Sequence, residues 1–228
     1  DGAPGDPEVS VKPTHLGLKI DPEVTRRIMA SLAAASNRTG RMLWIDMESA
    51  PYVDPTLELY RELRRDGAEV GVCLQSYLYR TEDDLEELLE LEDRLDTEGG
   101  VRLVKGAYDE PAEIAFPDKE DVDASFLRLA RRTLEVDGIG LRPAFATHDR
   151  RLHREIRAEA RQRDVDLGAY EIQLLYGIET EAQQALAREG EAVRVLVSYG
   201  SHWFPWYMRR LAERPANILF VLRQALPG

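Results

Sequence analysis

Two adjacent guanidinium groups, Arg209 and Arg210, follow the aromatic residues Trp206 and Tyr207 and stand just after Pro205, a residue suited to the first turn of a helix. Cations near a helix N-terminus oppose the macrodipole, at roughly a few tenths of a kcal/mol, unless an anion lies between them and the helix. The pair therefore reads either as solvated charge, in a chain that is 32% charged, or as a clamp for a small carboxylate. The second candidate is Arg102-Leu103-Val104-Lys105-Gly106-Ala107-Tyr108. Strand alternation puts Arg102, Val104 and Gly106 on one face and Leu103, Lys105 and Ala107 on the other. Small residues beside Lys105 leave room for a phosphate to meet main-chain N–H groups and an ammonium. The same lysine could equally serve as the Schiff-base amine of a lyase or aldolase.

The elements that must position these groups follow from hydrophobic patterning. β-rich runs at 9–13, 41–47, 68–75, 101–107, 141–146, 170–175 and 193–199 alternate with helical segments at 22–36, 55–66, 82–96, 122–136, 150–163, 179–188, 205–213 and 216–226. A repeat of about 30 residues suits parallel strands joined by crossover helices. The expected fold is α/β: a distorted (βα)8 TIM-like barrel whose first strand is missing upstream of Val9. An open doubly wound sheet is the alternative, but no glycine-rich phosphate turn follows the first strand. Residues 1–8 read as a flexible leader and 9–228 as a single barrel domain. The acidic helix start from Thr81 to Glu87 reads as a solvated face that complements the helix dipole.

In such a barrel the chemistry sits at the C-terminal strand ends. The polar residues closing successive runs are Lys12, Asp46 and Glu48, Gln75 and Tyr77, Lys105 and Tyr108, and Thr147 and His148; Glu171 and Gln173 lie in the sixth run and Tyr199 ends the seventh. Each alone is an ordinary solvent-facing strand end, but their recurrence at consecutive ends is less ordinary. The formal net charge of −12 and the pI near 4.9 argue against nucleic acid, which needs a basic surface. A small anionic ligand stays compatible, because a local pocket need not follow the global charge. The lone Cys73 rules out an intrachain disulfide or a cysteine metal cluster and reads as a small packed hydrophobe. No apolar run reaches the roughly 20 residues that span a bilayer, so a cytoplasmic protein is expected.

Seven motifs in order carry a resemblance to a known family. They are Lys12-Pro13-Thr14 with Leu16-Gly17; Asp46-Met47-Glu48; Leu74-Gln75-Ser76-Tyr77; Arg102 to Tyr108; Phe145-Ala146-Thr147-His148-Asp149; Tyr170 to Gly177; and Arg209-Arg210-Leu211-Ala212-Glu213. Together they closely resemble proline dehydrogenase of the bacterial and archaeal monofunctional type, from Val9 to Arg223. The resemblance implies FAD at the C-terminal strand ends and oxidation of L-proline to Δ1-pyrroline-5-carboxylate by hydride transfer to the flavin N5. Electrons would pass to a quinone, with a peripheral membrane contact, and a homo-oligomer stays open. It further implies that Arg102, Met47 and Gln75 lie against the flavin ring, with Arg102 near N5. Lys105, Gly106 and Ala107 would hold the phosphate region, and Thr147, His148 and Glu213 the adenosine end. Arg209 and Arg210 would grip the proline carboxylate, Lys12 and Asp46 would close the pocket as an ion pair, and Leu103, Tyr108 and Trp206 would wall the ring.

The chain departs from the family pattern at several positions. Leu196 stands where a tyrosine is usual, Trp206 replaces a second pocket tyrosine, Ser198 replaces a proline and Asp149 an asparagine. Losing one phenol and enlarging another ring reshapes the slot, so hydroxyproline or another cyclic imino acid stays open as substrate.

Overall fold

The structure is a computed structural model that describes residues 7–136 and 139–198. Seven parallel strands form one sheet in sequence order: β1 (Val9–Val11), β2 (Leu43–Ile45), β3 (Val70–Gln75), β4 (Gly99–Val104), β5 (Leu141–Ala146), β6 (Glu171–Leu175) and β7 (Val193–Leu196). Between them run α1 (Pro22–Thr39), α2 (Val53–Arg65), α3 (Thr81–Glu92), α4 (Lys119–Glu135), α5 (Arg150–Gln162) and α6 (Thr180–Arg188). Each expected strand up to residue 196 is present, and each helix through α6. The two helices expected after residue 200 lie outside the described residues. Among the described residues, no helix is long and apolar enough to cross a membrane.

The sheet is curled, and side chains that reach across it show this. Arg102 of β4 touches Ser10 of β1, and Arg142 of β5 and Arg194 of β7 both reach Glu8, which precedes β1. A flat sheet would hold these groups more than two 4.8 Å strand spacings apart. The architecture is a seven-stranded curled part-barrel, and no pairing joins β1 to β7. Of the expected leader, residues 1–6 lie outside the described residues. Glu8 is anchored in the interior, accepting hydrogen bonds from Trp44 Nε1 and Arg142 Nη2, each at 2.7 Å.

Alternation divides the side chains cleanly. Leu103, Phe145, Ile172 and Leu174 point to the helices and join the main core with Leu85, Phe126, Leu152 and Ile156. Trp44, Asp46, Cys73, Arg102 and Arg142 point inward, as their mutual contacts require. The helices are delimited locally. Asp21 caps α1 by accepting from the N–H groups of Glu23 and Val24, Pro22 opens it, and Gly40 closes it at φ 62°. The acidic start of α3 is less solvated than its composition suggests. Asp84 is buried and accepts two hydrogen bonds from Arg80, and Glu86 pairs with Arg132 of α4. A carboxylate as buried as Asp84 needs a cation, and Arg80 supplies it.

The helix layer also holds a fully enclosed ion pair. Arg64 of α2 and Glu92 of α3 both have side chains at 0% exposure, with Arg64 Nη2 2.6 Å from Glu92 Oε2. Arg64 Nε donates to both Glu92 oxygens, and Tyr60 Oη donates to Glu92 Oε1 at 2.8 Å. The remaining guanidinium hydrogens go to the carbonyls of Ala68 and Thr97 and to Thr97 Oγ1. Gly99 at the start of β4 makes room, since a Cβ there would sit 2.7 Å from Glu92 Cδ.

Candidate active site

At the centre of the curled sheet, Arg102 of β4 faces Asp46 at the end of β2. The guanidinium Nη1 donates to Asp46 Oδ1 at 3.1 Å and to Ser10 Oγ at 3.0 Å, and Ser10 Oγ donates to the same Asp46 oxygen at 2.6 Å. Cys73 Sγ lies 3.5 Å from the same Nη1. Burial pushes the Cys73 thiol up to about 11 against the opposing charge of Arg102, so it stays a neutral thiol. Arg102 is 7% exposed and its Nε is buried with no hydrogen-bond partner. An orphaned buried donor costs about 1–3 kcal/mol, so it marks a place where an acceptor is expected.

One layer up, the strand ends are tied to the loops that follow them. Gln75 Nε2 donates to the carbonyl of Glu48 at 2.9 Å, and Glu48 accepts from the N–H and hydroxyl of Thr14. Glu48 thus anchors the turn after β1. Met47, between Asp46 and Glu48, is 6% exposed. Lys12 Nζ lies 3.4 Å from Tyr108 Oη and over the Tyr108 ring. The expected ion pair of Lys12 with Asp46 is not formed. Asp46 turns to Arg102, whose buried charge needs the partner more than the half-exposed Lys12 does. Gly106 sits at φ 119°, where a side chain is strained, and a Cβ there would fall 2.5 Å from Tyr77 Cγ. Tyr77 packs flush against this loop, its hydroxyl is buried without a partner, and burial raises its pKa.

Leu103 does not join this group. It is 0% exposed in the core against the helices, opposite Arg102, as strand alternation demands. Lys105 is committed as well: its Nζ lies 2.5 Å from Asp123 Oδ1 of α4 and 3.1 Å from Asp149 Oδ2. Burial would raise the Asp149 pKa, but the hydrogen bond and charge of Lys105, with Arg151 N–H and Lys119, hold it down to about 2. Burial opposes Asp123 similarly, and hydrogen bonds from Lys105 and Lys119 lower it. Ala107, beyond them, is exposed.

Beside Asp149, Thr147 Oγ1 accepts from Asp149 N–H at 3.1 Å, and His148 Nε2 accepts from Leu175 N–H at 3.0 Å. His148 also lines a cavity of about 190 Å³ between α5 and α6, with His153, Arg154 and Gln183. His153 is buried, which lowers its pKa, while its contact with the Thr147 carbonyl opposes the shift. Glu171, expected within the sixth strand, is the first residue of β6 and belongs to the interior network. Burial would raise its pKa, but hydrogen bonds from Arg194 and Gln173 and the charges of Arg142 and Arg194 lower it. Trp206, Arg209, Arg210 and Glu213 lie outside the described residues. Sequence reasoning passed over Ser10, Trp44 and Asp123, and treated Cys73 as packing alone. The signal available for Trp44 was indirect, Gly71 and Gly100 standing inside or beside strand runs, and only the register shows that they face it.

A strand-end site on a curled parallel sheet with βα connections defines a (βα)-barrel enzyme class. The chain belongs to the proline dehydrogenase family, whose model matches residues 2–223. It is 37% identical over 221 residues to "Proline dehydrogenase 1" of Bacillus subtilis subsp. natto, covering 97% of this chain and 70% of that protein. It is 38% identical over 231 residues to "Proline dehydrogenase" of Deinococcus radiodurans, again covering 97% and 70%. Similarity to "Bifunctional protein PutA" of Rhizobium meliloti is 29% and covers 95% of this chain and 20% of that protein. Among solved structures, proline utilization A from Bdellovibrio bacteriovorus, inactivated by N-propargylglycine, superposes with a TM-score of 0.81 at 26% identity. That match covers 89% of this chain and 24% of that one.

Proposed function

We propose that the protein oxidises L-proline to Δ1-pyrroline-5-carboxylate with FAD and passes the electrons to a quinone. The observation that carries the reading is the buried Arg102–Asp46 pair with its unpartnered Nε, at the centre of a family-matched barrel. The residues fit the redox end of such a cofactor. To that end we assign the desolvated guanidinium of Arg102, which would supply an anion-stabilising charge, with the amide of Gln75 and the apolar Met47, all three buried. FAD, when bound, supplies the two-electron acceptor. Proline loses a hydride from C5 and a proton from nitrogen, and its carboxylate stays intact throughout.

The residues of this chain bind, orient and shield. Arg209 and Arg210 grip the carboxylate, which fixes the ring's orientation. Tyr108, held by Lys12 at 3.4 Å, and Trp206 exclude water from the ring. Thr147, His148, Gly106, Ala107 and Glu213 hold the nucleotide part of FAD. Lys105 joins them by exchanging a carboxylate partner for phosphate. The reading of Lys105 as a covalent amine loses support, because Asp123 and Asp149 occupy its head.

The test is the absorbance spectrum of purified protein under anaerobic conditions, with and without L-proline, and mass detection of the product. A flavin band bleached by proline is expected. A colourless protein that takes up no FAD refutes the proposal. Leu196, 38% exposed at the end of β7, offers no hydroxyl, so trans-4-hydroxyproline is the second substrate to run.

A further inference from the structure

The floor beneath Arg102 is an indole. Trp44 is 1% exposed, and its ring centroid lies 4.4 Å from Arg102 Cζ and 5.5 Å from Arg142 Cζ. Two neighbouring strands give up side chains to seat it. Trp44 pairs in register with Gly71, and Gly71 with Gly100. A Cβ at Gly71 would fall 2.5 Å from Trp44 Cζ3, and one at Gly100 2.8 Å from Trp44 Cη2. The ring edge is fixed too, since Nε1 donates to Glu8, which is held in turn by Arg142.

Among the described residues, the other hydrogen-bond contacts of Arg102 do not orient it fully. Ser10, Asp46 and Cys73 all meet the same nitrogen, Nη1. Contacts gathered on one nitrogen pin a point and leave the guanidinium plane free to swing about it. A ring face under the carbon of the guanidinium removes that freedom. Packing alone would accept an aliphatic side chain in this space, whereas a cation placed over the ring gains from the negative face of an indole.

We infer that Trp44 is a positioning residue for Arg102: it sets the guanidinium plane and so aims the unpartnered Nε. The inference rests on the FAD reading above. In full-length, FAD-loaded protein, Trp44→Leu is expected to slow anaerobic bleaching by saturating proline about tenfold, the scale of a desolvated cation–π contact. The flavin reduction potential should fall by about 30 mV, which is tenfold for a two-electron couple. The proline dissociation constant should stay within about twofold, because the carboxylate clamp is elsewhere. Trp44→Phe keeps a ring face and restores most of both losses.

Site-specific tetrafluorotryptophan at position 44 keeps the shape and removes the negative ring face, so it decides the matter even where Trp44→Leu does not fold. An unchanged potential with the fluorinated residue, or a Trp44→Phe protein as impaired as Trp44→Leu, overturns the inference. A wild type that binds FAD but is not bleached by proline counts against the proposed function instead, while the potentials of the Trp44 variants still decide this point. A wild type that takes up no FAD refutes both.

Discussion

Removing the carboxylate of Glu92 should be among the most destabilising single changes outside the strands. Glu92 and Arg64 are completely enclosed, and Glu92 is the sole carboxylate paired with Arg64 among the described residues. Glu92→Ala strands a buried cation, and breaking such a pair costs about 3–5 kcal/mol. Tyr60 Oη also loses its acceptor, worth about 1 kcal/mol. Arg64 keeps its bonds to the Ala68 and Thr97 carbonyls, which bind part of the charge, so the lower end, about 3 kcal/mol, is expected. Against a typical total of about 5–15 kcal/mol this removes a fifth or more of the stability. The assay is equilibrium urea unfolding followed by circular dichroism, with the slope compared to check that only the midpoint moves. The double variant Arg64→Met/Glu92→Leu removes both desolvation penalties and should lie within about 1 kcal/mol of wild type. A cost below about 1 kcal/mol for Glu92→Ala, or a double variant worse than the single one, would refute the reasoning.

Gly71→Ala should cost about 1–3 kcal/mol by overpacking against Trp44, read as a lower urea midpoint, whereas Gly67→Ala on the α2–β3 turn meets no atom within 4 Å and should lose only its backbone strain. Asp149 ionises well below its ordinary 3.8, at about 2, so its ion pair stabilises the fold above pH 3.8 and that contribution fades as pH falls toward 2. The stability gap between wild type and Asp149→Asn should therefore be full at pH 5 and close near pH 2 in acid titrations. Cys73, buried and raised to about 11, should resist iodoacetamide at neutral pH in the folded protein and react promptly in urea. Arg209→Met or Arg210→Met should raise the KM for proline by roughly tenfold or more with kcat less affected, the scale of a charge-assisted contact of roughly 1.5–3 kcal/mol, and an unchanged KM would remove the clamp.

The order and direction of all seven strands, and α1 to α6, were legible in the chain, because apolar periodicity and caps such as Asp21 and Gly40 act over a few residues. The motifs likewise marked Asp46, Gln75 and Arg102 as site residues; Asp46 and Arg102 meet, while Gln75 bonds the Glu48 carbonyl. Partner choice was not legible. Asp46 meets Arg102 across 56 residues rather than Lys12, and Lys105 meets Asp149 across 44. Likewise Leu103 reads like its neighbours until the pleat turns it into the helix-facing core.

By itself, then, the sequence determined the family through its ordered motifs, and the parallel βα order through local periods of 2 and 3.6. Only the tertiary structure decided which cation sits on which carboxylate, that Trp44 lies beneath Arg102, and that Glu8 closes the interior. Those outcomes turn on sheet curl and register at the scale of one ångström, where a buried charge takes the partner that best replaces its lost water.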